Sequence, residues 1–131
     1  MKKVLFVCVE NAGRSQMAEG FAKAYGKGKL EAKSAGTMPA NEINPRVVQV
    51  MRERGIDLSV NKPKLVTNQM VQEADMIIVM GCSASGFCPA QMLPKVKDWG
   101  IEDPKGKPIE KIREIRDEIE NRVRMLINEA T

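Results

Sequence analysis

Two uninterrupted apolar runs constrain the fold of this chain more than any other feature. They read VLFVCV at residues 4–9 and MIIVM at residues 76–80. Neither run alternates with polar residues, so a strand formed from either one must be covered on both of its faces. Buried strands of this kind are typical of parallel sheets with helices on both sides. We therefore predict a three-layer α/β/α sandwich around a four-stranded parallel sheet.

The remaining pattern supplies the other elements. We predict strands at residues 3–9, 30–35, 76–80 and 96–99. Helices are expected after the first strand, with Ser15 as N-cap and Gly26 at the end, from Asn44-Pro45 to Gly55, and over residues 67–74. In the second helix Val47, Val48 and Met51 are expected to face inward. A last helix is indicated by apolar residues three or four apart: Ile109, Ile112, Ile115, Ile119, Val123, and Leu126 or Ile127.

Size and composition point to one ordinary globular domain. A chain of 131 residues buries enough surface to fold without disulfides or zinc, and no linker interrupts it, so we expect a single domain over residues 1–131. No apolar run reaches the ~18 residues of a membrane span, and the N-terminus does not resemble a signal peptide. These features predict a cytoplasmic protein without membrane contact, which we expect to be a monomer.

Charge and histidine content exclude two function classes. The net charge is +4, but basic residues alternate with acidic ones and aromatic residues make up only 4% of the chain. That pattern does not favour nucleic acid, whereas a mildly positive field suits a small oxyanion. Histidine is missing, and the five residues between Cys82 and Cys88 fit no common zinc spacing. We therefore predict no metal site.

The segment CVENAGRS, residues 8–15, joins the first strand to the first helix. A strand-to-helix turn points several backbone N–H groups into one concavity, and the helix N-terminus adds partial positive charge. Gly13 lets the backbone bend, and Arg14 offers a fork for two oxygens of a tetrahedral anion. We predict an oxyanion site formed by Val9, Glu10, Asn11, Ala12, Gly13 and Arg14.

Cys8 stands at the base of this segment. Helix N-termini and nearby cations lower the pKa of a thiol to roughly 3.5–7.5, so we expect Cys8 to be largely thiolate. The Ser15 hydroxyl is placed to stabilise that thiolate by a hydrogen bond. We therefore predict that Cys8 is a nucleophile. The alternative is that Cys8 is a small buried hydrophobe at a strand end.

Several motifs together resemble a known family. The chain combines C-x5-R-S after an N-terminal strand with SAGT at residues 34–37, Asn44-Pro45 and Asp103-Pro104. In these respects it resembles the low-molecular-weight protein tyrosine phosphatases and the thioredoxin-coupled arsenate reductases, over essentially its whole length. The resemblance implies their shared fold and oxyanion loop, and it makes Asp103 the general acid. Asp98 is the alternative acid, although its position at a strand end favours a structural role.

Two differences separate the reductases from the phosphatases in this sequence. Gln16-Met17 follows Arg14-Ser15, as in the reductases, where phosphatases usually have proline after the serine. The segment DPKGKP carries no aromatic residue after aspartate-proline, and Tyr25 is the only tyrosine in the chain. The sequence therefore offers little to hold the aryl ring of a phosphotyrosine.

The two further cysteines also favour a reductase. Reduction of arsenate to arsenite takes two electrons, while a hydrolytic phosphatase needs only Cys8. The resemblance implies a relay in which Cys82 attacks Cys8 and Cys88 then attacks Cys82, with thioredoxin or a similar dithiol protein as electron donor. Five residues separate Cys82 from Cys88, where described members have six. We predict an arsenate reductase for arsenic detoxification, without a bound cofactor, with phosphate and sulfate as competing anions.

Two alternative functions stay open at this point. One is a low-molecular-weight phosphatase that hydrolyses phosphomonoesters through a Cys8 phosphoenzyme, with Cys82 and Cys88 as reversible oxidative protection. The other is a non-catalytic oxyanion sensor.

Two residues depart from the family pattern. Glu10 puts a carboxylate inside the oxyanion segment, and we expect it to point away from the anion, with only its backbone N–H facing inward. Some reductases of the family hold a potassium ion beside this segment; Asn11, Glu19 and Ser34 match its ligand positions, but Lys64 stands where an aspartate is expected. We predict that the Lys64 ammonium replaces the metal; the alternative is a solvated surface lysine.

Overall fold

A computed structural model describes residues 1–81 and 96–130 of the chain. The elements in chain order are β1 (Lys2–Cys8), α1 (Arg14–Tyr25), β2 (Leu30–Gly36), α2 (Pro45–Arg52), α3 (Asn68–Glu73), β3 (Met76–Val79), β4 (Val96–Asp98) and α4 (Ile109–Ala130). The four strands form one parallel sheet in the order β2-β1-β3-β4. The predicted four-stranded parallel sheet is confirmed.

The central strand β1 is buried on both faces. Val4 and Phe6 belong to the core on one side of the sheet, and Leu5 and Val7 to the core on the other. Each of the four side chains is at most 3% exposed. Both core clusters continue into β3, which explains why neither apolar run tolerates a polar residue.

Helices α1, α2 and α4 cover the first face. Phe21 of α1 and Met51 of α2 are fully buried against it. The predicted stripe of α4 is confirmed, since Ile112, Ile115, Ile119, Val123, Leu126 and Ile127 are all buried and Ile109 is packed against the same core. In α2 the prediction is confirmed: Val47 and Met51 are fully buried, and Val48 is half-buried and packs against the same core. Val50, which was not predicted, is also fully buried.

Helix α3 and the segment before it lie on the second face. Val66, Met70 and Val71 pack against the cluster that contains Leu5 and Ile77. Helices thus occupy both faces of the sheet, which confirms the three-layer α/β/α sandwich. Within the described ranges, no helix combines the length and the apolar character needed to cross a membrane.

The two predicted N-caps have different outcomes. Asn44 caps α2 as predicted, because its side chain accepts a hydrogen bond from the Arg46 N–H at 3.0 Å and Pro45 follows at the first helical position. The prediction for Ser15 is wrong: α1 begins at Arg14, and Gly13 is its N-cap without a side-chain hydrogen bond. Ser15 is buried in the first turn, where its hydroxyl faces Cys8 instead.

Candidate active site

A cavity of about 250 Å³ opens at the carboxyl end of β1. Its floor is formed by residues 8–14, which we call the oxyanion loop, and one wall by residues 42–45. Another part of the wall belongs to the segment of residues 101–107, which we call the acid loop; its residues Asp103, Pro104 and Lys105 line the cavity. The oxyanion loop thus lies at the edge of a parallel sheet where ligands commonly bind.

Cys8 is buried at the base of the cavity. Its Sγ lies 2.8 Å from the Oγ of Ser15. The same Oγ accepts a hydrogen bond from Nδ2 of Asn11 at 2.7 Å, so the serine hydrogen is available to donate to the sulfur. The structure therefore brings Cys8 and Ser15 together in the way the nucleophile hypothesis requires.

The buried Arg14 side chain lines the cavity and is held in place by hydrogen bonds to two backbone carbonyls. Its Nη1 donates to the carbonyl of Ile101 at 2.8 Å and to that of Met80 at 3.3 Å. Both bonds use the same nitrogen, so Nε and Nη2 are without a partner within the described parts of the chain. A guanidinium fixed at one end and open at the other is suited to bind an oxyanion.

Asn11 organises the oxyanion loop from below. It is fully buried and adopts a left-handed backbone conformation with φ of +51°, which asparagine tolerates better than most residues. Its Nδ2 also donates to Ser34 Oγ at 3.0 Å, and its Oδ1 accepts from the Lys64 backbone N–H and from Gln16 Nε2, both at 2.9 Å. The Asn11 amide therefore fixes the loop to α1, to β2 and to the segment around Lys64.

The Glu19 carboxylate is the last member of this hydrogen-bond network, and its partners decide whether a potassium ion could bind there. It accepts a hydrogen bond from the Ser34 hydroxyl at Oε1. The Lys64 ammonium lies 3.9 Å from the same oxygen, and the Lys23 ammonium lies 2.5 Å from Oε2. Because two ammonium groups already share this carboxylate, the residues present do not fit a potassium ion. Lys64 has features of both alternatives, since its ammonium is directed at Glu19 and its side chain is 43% exposed.

The structure brings Asp103 to the cavity and leaves Asp98 away from it. Asp103 is exposed on the cavity wall, and its Oδ1 accepts a hydrogen bond from the Lys105 backbone N–H at 3.0 Å. Asp98 is the last residue of β4, where its Oδ1 accepts from the Gly100 N–H at 2.8 Å. That bond closes a turn after the strand.

The carboxylate of Glu10 forms an ion pair with Lys105. The Lys105 Nζ lies 2.8 Å from Glu10 Oε1, and this pairing raises the pKa of the Lys105 ammonium above its usual value. Sequence reasoning missed Lys105, and it also missed that Pro104 lies against Gly13: a Cβ on Gly13 would be 3.0 Å from Pro104 Cγ. The only available signal was that both residues follow Asp103 directly.

Cys82 and Cys88 lie outside the described residues. The described chain stops one residue before Cys82, at Gly81, which is beside the site. A Cβ built on Gly81 would lie 3.4 Å from Nη1 of Arg14. No group of three histidine, cysteine, aspartate or glutamate side chains that could hold a metal is found in residues 1–81 and 96–130.

The comparison with protein families decides where the chain belongs. The model of the low molecular weight phosphotyrosine protein phosphatases matches residues 3–131. The chain belongs to this family. Among curated relatives of the chain, the glutaredoxin arsenate reductase of Synechocystis is 38% identical over 129 residues, which cover 97% of each chain.

Solved structures of family members have the same fold. An arsenate reductase in its phosphate-binding state is 36% identical, with a TM-score of 0.88 and full coverage of both chains. A thioredoxin-dependent arsenate reductase of Corynebacterium glutamicum is 39% identical, with a TM-score of 0.82; the match covers 99% of this chain and 62% of that one. The predicted resemblance to the arsenate reductases of this family is confirmed.

Proposed function

We propose that this protein is an arsenate reductase in which Cys8 attacks arsenate bound by the oxyanion loop. The observation that carries the proposal is the arrangement of the cavity. The buried Cys8 sulfur receives a hydrogen bond from Ser15, and Arg14 and Asp103 line the same cavity. Relatives that bear the name arsenate reductase at 34–40% identity support the same conclusion.

The first step forms a bond between sulfur and arsenic. Arsenate binds to the backbone N–H groups of the oxyanion loop and to Arg14. The Cys8 thiolate attacks arsenic, one As–O bond breaks, and Asp103 donates a proton so that the oxygen leaves as water. Arsenic is still pentavalent after this step, because an oxygen ligand has been exchanged for a sulfur ligand.

The second step moves two electrons to arsenic. The Cys82 thiolate attacks the sulfur of Cys8, a disulfide forms, and the electron pair of the broken S–As bond stays on arsenic, which leaves as trivalent arsenite. Cys88 then attacks Cys82 and frees Cys8 as thiolate. The closeness of Gly81 to Arg14 supports this relay, since Cys82 is the next residue. The Cys82–Cys88 disulfide needs an external dithiol for its reduction.

We infer that the donor is thioredoxin or a similar dithiol protein. One relative is named a glutaredoxin arsenate reductase and another a thioredoxin-dependent one, so the class of donor is supported more strongly than its identity. No step requires a cofactor bound to the chain. We place the activity in the cytoplasm, because all three thiols must be returned to the reduced state.

The cavity walls favour a small oxyanion over phosphotyrosine. The apolar residues that line the cavity beyond the oxyanion loop are Ala40, Ile43, Pro45 and Pro104. No aromatic side chain lines it within the described residues, so a phenyl ring would find no ring to stack on. Phosphate and sulfate, which share the tetrahedral shape of arsenate, are expected to compete for the site.

The proposal is tested by arsenite release with thioredoxin, thioredoxin reductase and NADPH. We expect sustained turnover from the wild type and none from Cys8→Ser or Cys82→Ser. Cys88→Ser is expected to release about one arsenite per enzyme and then stop as the Cys8–Cys82 disulfide, because the relay is blocked after one cycle. Hydrolysis of aryl phosphates by a wild type that releases no arsenite would contradict the proposal and favour the phosphatase alternative.

A further inference from the structure

Glu10 is the one side chain of the oxyanion loop that opposes the chemistry of its own site. A carboxylate beside a bound oxyanion repels it, yet Glu10 lines the cavity. The contact that offsets this charge comes from the acid loop, where the Lys105 ammonium lies 2.8 Å from Glu10 Oε1. The two residues are 95 positions apart, so only the folded chain pairs them.

Lys105 is connected directly to the general acid. Its backbone N–H donates to Oδ1 of Asp103 at 3.0 Å, which closes a short turn around Pro104. A side chain fixed at Glu10 therefore fixes the backbone that orients the Asp103 carboxyl. Lys105 is held at both ends, by its ammonium on the oxyanion loop and by its N–H on the acid.

Other contacts hold the acid loop at its ends and at Pro104. Arg14 binds the carbonyl of Ile101 at the start of the loop, and Arg46 Nη1 binds the carbonyl of Lys107 at its end at 2.7 Å. Between them, Pro104 lies against Gly13. Glu102, next to Asp103, pairs with Lys107 of the same loop and with Lys111 of α4. Within the described residues, the Glu10–Lys105 pair is therefore the ion pair that joins the acid loop to the oxyanion loop.

We propose that the Glu10–Lys105 ion pair is the device that positions Asp103 over the oxyanion loop while it cancels the charge of Glu10 toward the bound anion. This inference rests on the proposed function and adds two positioning residues to it. Glu10 and Lys105 act through Asp103 and through the field in the cavity, and neither takes part in bond making.

The double role gives the two single variants opposite effects on binding and the same effect on turnover. Glu10→Gln removes a repelling charge, so KM for the oxyanion falls. Lys105→Met leaves that charge unpaired, so KM rises. Both variants release the Asp103 turn, so kcat falls in both. A residue that only supported the fold would not separate KM from kcat in this pattern.

The ion pair contributes little to the stability of the fold. The side chains of Lys105 and Glu10 are 71% and 35% exposed, and exposed pairs stabilise proteins only slightly. We therefore expect the melting temperatures of both variants to stay close to that of the wild type. Lys107→Met is a matched control, because Lys107 lies in the same loop and pairs with Glu102, away from the oxyanion loop.

The experiment measures kcat and KM for arsenate with Glu10→Gln, Lys105→Met, both together, the exchange Glu10→Lys with Lys105→Glu, and the Lys107→Met control. We expect kcat to fall about two- to fivefold in each single variant, with KM moving in opposite directions. The double variant should lose no more kcat than either single one, and the exchange should restore kcat. Single variants that behave like Lys107→Met, or whose losses multiply in the double variant, would overturn the proposal.

Two further readouts separate this proposal from the proposed function. The first readout applies if the wild type releases no arsenite but hydrolyses aryl phosphates. The same variants are then compared on phenyl phosphate and para-nitrophenyl phosphate. Loss of a positioned acid slows phenyl phosphate more, because its leaving group needs the proton. The second readout applies if the wild type shows neither activity. The rate of Cys8 alkylation is then measured at increasing concentrations of inorganic phosphate, and the protection by phosphate gives its Kd. Equal Kd values for Glu10→Gln and Lys105→Met would then contradict the proposal.

Discussion

The floor and the rim of the cavity are built in different ways. At the floor, Cys8, Asn11, Ser15 and Ser34 are at most 8% exposed and are joined by side-chain hydrogen bonds. At the rim, Asp103 is exposed and its loop is held by a few separate contacts. The difference indicates that the floor is preorganised by its buried hydrogen bonds, whereas the position of the Asp103 carboxyl depends on few contacts.

The largest losses of stability and activity are expected when the Asn11 amide is removed from the floor of the cavity. Asn11→Ala leaves the partners of four hydrogen bonds in a buried region and puts alanine at a φ of +51°. We expect a loss of about 3 kcal/mol in the free energy of unfolding and a loss of most activity. Urea denaturation and arsenite release measure the two effects. Asn61→Ala is the control, since Asn61 makes one longer bond to Gln16 at 3.3 Å; equal losses in both variants would refute the special role of Asn11.

At the rim, loss of the acid should reduce activity without reducing stability. We expect Asp103→Asn to lower kcat by roughly 10²- to 10⁴-fold, because amide cannot donate the required proton, and to leave the melting temperature nearly unchanged. Asp98→Asn is the matched control, because Asp98 binds the Gly100 N–H outside the cavity. A large loss of kcat in Asp98→Asn and a small one in Asp103→Asn would reverse the assignment of the acid.

A third prediction concerns the Lys64 ammonium, which is expected to take the place of a potassium ion beside Glu19. In the wild type, Lys64 and Lys23 share Glu19, so we expect potassium and sodium chloride at equal ionic strength to give equal rates. Lys64→Asp exchanges an ammonium for a carboxylate, and we expect this variant to become severalfold more active in potassium than in sodium. Lys62→Asp controls for the change in net charge. Stimulation of the wild type by potassium would show that Lys64 does not replace the metal.

The smallest expected effect concerns an ion pair remote from the cavity. Glu53 binds Arg113 at 2.8 Å and the buried Arg116 at 2.6 Å, and these hydrogen bonds lower the pKa of the Glu53 carboxyl to about 2. Its stabilising contribution is therefore complete above the unfolded pKa near 4.5 and is lost as the pH falls from 4.5 to 2. We expect the melting temperature of Glu53→Gln to be lower than that of the wild type at pH 7 and equal to it near pH 2.

Thermal melts between pH 2 and pH 7 check this expectation. Glu118→Gln is the control, because Glu118 forms a longer, exposed pair with Arg122 at 3.5 Å. Arsenite release by Glu53→Gln at pH 7 should match that of the wild type, in contrast to the Glu10–Lys105 pair. A Glu53→Gln melting curve that is parallel to the wild type at every pH would contradict the lowered pKa.

Local patterns predicted much of the fold and the floor of the site. The apolar runs gave the central strands, the period of α4 gave its buried face, and Asn44-Pro45 gave the start of α2. Cys8 and Arg14 are brought together by a single strand-to-helix joint. These features depend on residues close in sequence, so the sequence alone contains the information needed.

Contacts between distant segments could not be predicted in this way. Serine is a residue type favoured at helix N-caps, but the Ser15 hydroxyl forms hydrogen bonds with the buried sulfur of Cys8 and with the amide of Asn11 instead. Lys105 reads as a solvated loop lysine until the fold places it beside Glu10. In both cases tertiary contacts decide which partner a polar side chain finds.

Disulfide mapping after reaction with arsenate tests the central claim most directly. The reduced wild type and Cys88→Ser are each incubated with arsenate without an external reductant, alkylated and digested, and the linked peptides are identified by mass. The account predicts a Cys82–Cys88 disulfide in the wild type and a Cys8–Cys82 disulfide in Cys88→Ser, with one arsenite released per disulfide. Arsenite release without any disulfide, or three free thiols after incubation, would contradict it.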